Sequence, residues 1–191
     1  MTQAEVLALF RECNALLEGH FLLTSGLHSP TYMQCALVCR RPDVCETLCR
    51  DLAASFQGVK VDQVIGPAMG GIVLAYELAR ALGVPGIFTE RDDSGAMTFR
   101  RGFAVNPGES VLVAEDVMTT GGSAGEVARL AEAAGARVVG VACLVDRGGL
   151  RRFPACRTAT TLRIEIPAWK PEDCPLCKQG LPLVKPGSRK K

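Results

Sequence analysis

The stretch Val111-Leu-Val-Ala-Glu-Asp-Val-Met-Thr-Thr-Gly-Gly-Ser123 changes character twice. It begins as an apolar run, Val111 to Ala114, of the kind buried on both faces in a parallel sheet. Two carboxylates, Glu115 and Asp116, stand where that strand should end. A small, hydroxyl-rich turn follows, Thr119-Thr120-Gly121-Gly122-Ser123. Ala124, Val127, Ala128 and Ala131 then recur at helical spacing. The unit reads as strand, acidic pair, loop, helix.

Such a loop suits a phosphate. Its glycines let backbone N–H groups approach an anion closely, and the helix N-terminus adds a dipole worth about 0.3–1 kcal/mol. Thr119, Thr120 and Ser123 add hydroxyl donors. The two carboxylates would repel a phosphate, so they must face something else: vicinal sugar hydroxyls or a divalent cation. Phosphate on one side and paired hydroxyls on the other describe a ribose 5-phosphate. The plainer alternative is a strand-to-helix turn with a Thr/Gly N-cap. No lysine follows the second glycine, so the loop is not a P-loop.

The rest of the chain agrees with a small α/β domain. Its 191 residues suit one domain, 1–191, with ample chain for a core. A net charge of +2 with both signs mixed argues against a nucleic-acid surface. No apolar run approaches the roughly 20 residues of a membrane span, and the N-terminus lacks the basic region of a secretory signal. Nine cysteines, an odd and scattered set, fit a reducing cytoplasm in which most thiols are small apolar fillers.

Thr2 and Glu5 have capping-box spacing, and apolar residues from Val6 to Leu17 recur helically, so the pattern predicts a helix over 2–17. Residues 19–34 mix apolar pairs with Ser-Gly and Ser-Pro turns, as short strands and loops do. Pro42 and Asp43 open a second helix. Then strands and helices alternate: strand Val61–Ile65, loop Gly66–Gly71, helix Ile72–Leu82 stopped by Gly83, strand Gly86–Thr89, a polar loop 90–103, the opening unit, and strand Val138–Val145. That order implies a doubly wound parallel sheet with right-handed crossovers, its ligands at the carboxyl ends of the strands. The loops 66–71, 90–103, 115–123 and 146–149 should share that edge. The basic end, Lys185–Lys191, should fray.

The opening stretch resembles the phosphoribosyl-diphosphate motif of type I phosphoribosyltransferases. Gly19-His-Phe-Leu-Leu-Thr-Ser-Gly-Leu-His-Ser-Pro30, Gly66-Pro-Ala-Met-Gly-Gly71, Val145-Asp-Arg147 and Pro171-Glu-Asp-Cys-Pro-Leu-Cys-Lys-Gln-Gly180 extend the resemblance to the orotate branch. It implies a core of about 42–166 with a small hood from 18–40 and the C-terminal segment. It also implies the transfer of a phosphoribosyl group from the diphosphate to orotate, with Mg²⁺, in pyrimidine biosynthesis. By the same resemblance Glu115 and Asp116 bind the ribose hydroxyls. Val117, Met118, Thr119, Thr120, Gly121, Gly122 and Ser123 surround the 5-phosphate, and Met69, Gly70 and Gly71 the pyrophosphate. Thr119 and Arg147 line the orotate site, with Ser25, Gly26 and Tyr32 in the hood over it.

Chemistry supports these roles. Arg147 could hold orotate's carboxylate by a charge-assisted bond. Gly66–Gly71 can offer backbone N–H groups to pyrophosphate as an anion nest. Transfer builds positive charge on the sugar and negative charge on pyrophosphate, so electrostatic stabilisation should dominate, with Mg²⁺ held mainly through the diphosphate. The chain departs from the better-known branch where that branch has lysines. Thr24 and Gly70 stand at two such positions, and loop 90–103 contains none, only Arg91, Arg100 and Arg101. Arg91 takes the expected leaving-group role, since arginine can clamp pyrophosphate but not readily donate a proton. The resemblance implies a homodimer in which loop 90–103 reaches the partner's site. His20 and His28 are expected as structural hydrogen-bonders, and Cys174 and Cys177 as free thiols forming half a zinc site. Two competing readings remain: transfer to a purine or uracil, and a non-catalytic nucleotide-binding regulator.

Overall fold

Val111, Leu112, Val113 and Ala114 are wholly buried, because the strand they open has a covered face on each side. The computed structural model describes residues 1–23 and 25–186; Thr24 and residues 187–191, most of the basic tail, fall outside them. The elements run α1 (Gln3–Glu12), β1 (Leu16–Leu22), β2 (His28–Met33), α2 (Ala36–Cys39), α3 (Pro42–Ala54), β3 (Gln63–Pro67), α4 (Gly71–Leu82), β4 (Gly86–Arg91), β5 (Met97–Phe99), β6 (Ser110–Met118), α5 (Gly122–Ala133), β7 (Arg137–Asp146), β8 (Arg157–Arg163) and α6 (Pro175–Lys178). One sheet has the order β5-β4-β3-β6-β7-β8, and β1 pairs with β2 in a separate hairpin. All pairings in the large sheet are parallel except β4 with β5.

Side chains alternate across this sheet and feed two cores. Val64, Leu112, Ala114, Ala142 and Leu144 pack with the buried faces of α1, α3 and α4. Ile65, Val111, Val113, Val141 and Cys143 pack with Ala124, Val127, Ala128 and Ala131 of α5. Each fully buried Val or Leu contributes roughly 1.5–3 kcal/mol. The sheet is therefore doubly wound, and β6 at its centre presents its carboxyl end between the two layers.

Local signals hold at several ends. Thr2 and Glu5 form the capping box, Pro42 opens α3, and Gly83 ends α4 at φ +71°. Four expectations change. The first helix stops at Glu12, Asn14 turns the chain at φ +53°, and Leu16 and Leu17 enter β1; their apolar spacing serves the hairpin instead of a helix. The strand of the opening stretch continues through the acidic pair to Met118, because β7 pairs with it through Asp146. The polar segment 90–103 begins as a hairpin, Arg91 pairing with Met97. Its turn is held by Asp92, whose carboxylate accepts from the Ser94 and Ala96 amides at 2.9 and 3.0 Å. Strand β8 was not expected. Its sequence Arg-Thr-Ala-Thr-Thr-Leu-Arg is polar enough to read as loop, and only its β-branched threonines signal an edge strand.

The hood is the β1–β2 hairpin with the C-terminal segment laid along it. His28 and Trp169 exchange backbone bonds of 2.8 and 2.9 Å. Val184 donates to the His20 carbonyl and accepts from the Leu22 amide, both at 2.8 Å.

Candidate active site

A cavity of about 630 Å³ opens between the hood and the carboxyl edge of the sheet. From the hood it is lined by Leu23, Ser25, Leu27 and Tyr32, and from the sheet by Asp116, Val117, Thr119, Thr120 and Arg147. Five residues of the opening stretch and its expected partners thus meet as a parallel sheet requires, at the strand ends.

Asp116 is the acidic residue that reaches the cavity; Glu115, its neighbour on β6, does not line it. Adjacent strand residues face opposite ways, which separates the pair that the sequence presents together. Burial pushes the Asp116 carboxyl above the usual range, and this outweighs the bond of 2.9 Å that Oδ1 accepts from the Val117 amide. Tyr32 is half-buried nearby, and burial and the Asp116 charge push its phenol up.

The loop Gly66–Gly71 meets the same carboxylate. A Cβ added at Gly70 would lie 2.6 Å from both Asp116 oxygens. A side chain at this position, where the better-known branch carries a lysine, would have to displace the Asp116 carboxylate. Gly71 begins α4, Met69 is exposed, and the Ala68–Met69 peptide is cis. Gly121 adopts φ +69°, and a side chain there would meet the Gly149 carbonyl at 2.8 Å. This turn aims the start of α5 at the site. No side chain caps that helix, so the amides of its first turn, at Gly122 and Ser123, are open to an anion.

Arg147 follows the end of β7. Its guanidinium is half-buried, burial lowers its pKa, and among the described residues it has no ion-pair partner. Asp146, fully buried, shapes its loop: Oδ1 accepts from the Gly148 and Leu150 amides at 2.9 and 3.2 Å, and Oδ2 accepts from Arg163 Nε at 3.1 Å. Arg151, Arg163 and Glu165 line the same cavity and belong to no motif singled out in the sequence. Their signal lies only in the fold, which carries β8 alongside β7.

Some expected residues stand elsewhere. Ser25 lines the cavity but exposed Gly26 does not, and neither does Met118, whose side chain is fully buried under α5 in the core. Arg91 also lies outside it. Glu126 of α5 holds its guanidinium at 2.7 and 3.0 Å, and the Gly95 carbonyl accepts from it at 2.7 Å. The reason is positional: β4 ends beside α5, on the side of the sheet away from the hood. His20, His28, Cys174 and Cys177 gather on the hood, and none of them lines the cavity.

A cavity lined by an aspartate, two threonines and an arginine at the carboxyl edge of such a sheet fits a phosphoribosyltransferase, and a family model described as the phosphoribosyl transferase domain matches residues 41–173. Among curated relatives, the orotate phosphoribosyltransferase of Heliobacterium modesticaldum is 56% identical over 191 residues, covering 99% of this chain and 100% of the relative. That of Pelotomaculum thermopropionicum is 55% identical over 190 residues, covering 100% of both. The crystal structure of Mycobacterium tuberculosis orotate phosphoribosyltransferase in complex with inorganic phosphate superposes with a TM-score of 0.68 at 25% identity, over 84% of this chain and 95% of that one. The chain belongs to the orotate phosphoribosyltransferase family.

Proposed function

We infer that the protein transfers the phosphoribosyl group of 5-phospho-α-D-ribose 1-diphosphate to orotate, giving orotidine 5′-monophosphate and pyrophosphate, a step of pyrimidine biosynthesis. The observation that carries this reading is Arg147. A half-buried guanidinium with no anion beside it is costly, and orotate, unlike uracil or adenine, brings a carboxylate to meet it. The open first turn of α5 takes the 5-phosphate, with Thr119 and Thr120 beside it. Asp116 accepts from the ribose hydroxyls, and its charge stabilises the cationic sugar as the bond to pyrophosphate loosens. Gly66–Gly71 bring backbone amides to the departing pyrophosphate.

Mg²⁺ fits this donor set. Asp116 offers carboxylate oxygens at the point where Gly70 leaves room, and oxygen ligands are those this ion takes. Bound mainly through the diphosphate, it would neutralise charge on the leaving group.

We also propose a cytoplasmic homodimer. In support, α4 exposes Val73 and Tyr76, 47% and 67% accessible, beside Met69. They flank an apolar recess of about 320 Å³ with Ile72, Ile87, Phe88 and Phe103. Apolar groups clustered on a surface mark interaction sites. The adjoining 90–103 segment would then reach the partner's cavity, Arg91 exchanging Glu126 for pyrophosphate. The cysteines are all unpaired, as in a reducing compartment, and no helix among the described residues is long and apolar enough to cross a membrane.

The test is the fall in orotate absorbance with diphosphate and Mg²⁺, run beside uracil and adenine. Consumption of orotate alone supports the reading. Turnover of another base, or tight nucleotide binding with no turnover, would replace it by one of the competing readings.

A further inference from the structure

Cys174-Pro-Leu-Cys177 is half of a metal knuckle by spacing, and the other half is supplied by the hood rather than by more cysteines. His20 lies on β1 and His28 opens β2. Cys174 precedes α6 and Cys177 lies within it. We propose that these four residues form a closed binding site for a soft divalent metal, Zn²⁺ above all, which clamps the C-terminal segment onto the hood.

The geometry fits a tetrahedral ion. His20 Nε2 lies 3.0 Å from His28 Nδ1, 3.5 Å from Cys174 Sγ and 3.7 Å from Cys177 Sγ. Cys177 Sγ lies 3.2 Å from His28 Nδ1, and all four ligand atoms fall within 4.8 Å of one another. Bonds of about 2.0–2.1 Å to nitrogen and 2.3 Å to sulfur give tetrahedral edges of about 3.3–3.8 Å. A plain imidazole hydrogen bond accounts for the single contact between nitrogens. It does not account for two sulfurs from another segment converging on His20 Nε2, one of them also on His28 Nδ1.

The His20 tautomer suits a ligand too. His20 Nδ1 lies 2.9 Å from the Leu181 carbonyl oxygen. A carbonyl can only accept, so Nδ1 carries the proton and Nε2 turns its lone pair to the cluster. This is the outer bond that metal-ligating histidines make. His20, His28 and Cys174 are buried and Cys177 is exposed. Two thiolates cancel the charge of a divalent ion, so the loaded site is neutral where it is buried. Two nitrogens and two sulfurs select zinc over magnesium or calcium. With four protein ligands no position is left for water, so the ion is structural.

The place of the site gives it a purpose. Residues 23–27, which link His20's strand to His28's, carry Leu23, Ser25 and Leu27 into the cavity. Around residues 170–183 the C-terminal segment is mostly exposed, and its strand-like anchors are the bridges at Trp169 and Val184. The metal would fix the middle of that span and the base of the hood loop together.

Untagged wild-type protein from zinc-supplemented cells should contain one zinc per chain by elemental analysis. Cys174→Ser and Cys177→Ser should each lose it. Stripped wild type given Co²⁺ should develop the strong visible bands of tetrahedral thiolate coordination, a readout that needs no variant and no activity. A chelator should lower the melting temperature of the wild type and leave the Cys174→Ser value unchanged. Wild type that takes up neither Zn²⁺ nor Co²⁺ overturns the proposal, as does full zinc retained in both cysteine variants.

Discussion

Replacing Arg147 by alanine tests the substrate assignment most directly. The structure sets both the size and the selectivity of the effect. The guanidinium is half-buried, its pKa is lowered by that burial alone, and among the described residues it has no ion-pair partner. Its removal therefore breaks no salt bridge in the empty protein and relieves a desolvation cost. With orotate bound, a charged hydrogen bond is lost, worth about 1.5–3 kcal/mol. At 1.36 kcal/mol per decade that raises the KM for orotate by about 10- to 150-fold. The KM for the diphosphate should change little, because in the proposed function its phosphate and ribose contacts would come from α5 and Asp116. Initial rates from orotate absorbance, with each substrate varied at saturating levels of the other, separate the two. The melting temperature should hold or rise. Arg147→Lys should recover only part of the loss, because an ammonium cannot form the planar two-bond fork. A raised KM for the diphosphate with orotate unaffected, or a clear drop in melting temperature, would refute the reasoning.

Asp116→Asn keeps the shape but loses charged bonds to the ribose, so kcat/KM for the diphosphate should fall by about 10- to 150-fold per bond lost. The wild-type carboxyl titrates above the usual range. The raised folded pKa means that ionisation costs the empty fold stability as pH rises through it. Ribose donors favour the ionised form, so diphosphate affinity should weaken on acidification, starting above the pH of an ordinary carboxylate; the Asn variant should lack that acid limb. Gly70→Ala drives a methyl group into the Asp116 oxygens. An off-rotamer carboxylate costs about 0.5–1.5 kcal/mol, so diphosphate kcat/KM should drop about two- to tenfold, with orotate affinity by calorimetry intact. Arg91→Ala and Asp116→Asn chains, each nearly inactive, should regain activity when refolded together; heterodimers that form without activity would place Arg91 outside the shared site.

Much of this was readable along the chain because the determinants are local. A run of four buried apolar residues, a Thr-Thr-Gly-Gly turn and a helical repeat lie within the 21 positions from Val111 to Ala131, and each acts on its neighbours through backbone geometry and periodicity. The same holds for the capping box at Thr2, the stop at Gly83 and the arginine after β7. Alternation of strand and helix then implies the parallel sheet and the edge where ligands bind.

What tertiary structure alone decided depends on residues distant in sequence. Strand β8 exists because β7 offers it an edge, not because its own residues demand it. The acidic pair divides, Asp116 to the cavity and Glu115 away, because pairing with β7 extends β6 through both. Gly70 takes its meaning from a carboxylate 46 residues later. Arg91 is turned to Glu126 by the position of α5. The histidines of the hood and the cysteines near the chain's end stand 146 to 157 residues apart. The spacing of Cys174 and Cys177 shows only half of such a ligand set; the whole set is divided between two segments and exists only once the C-terminal segment lies on the hairpin.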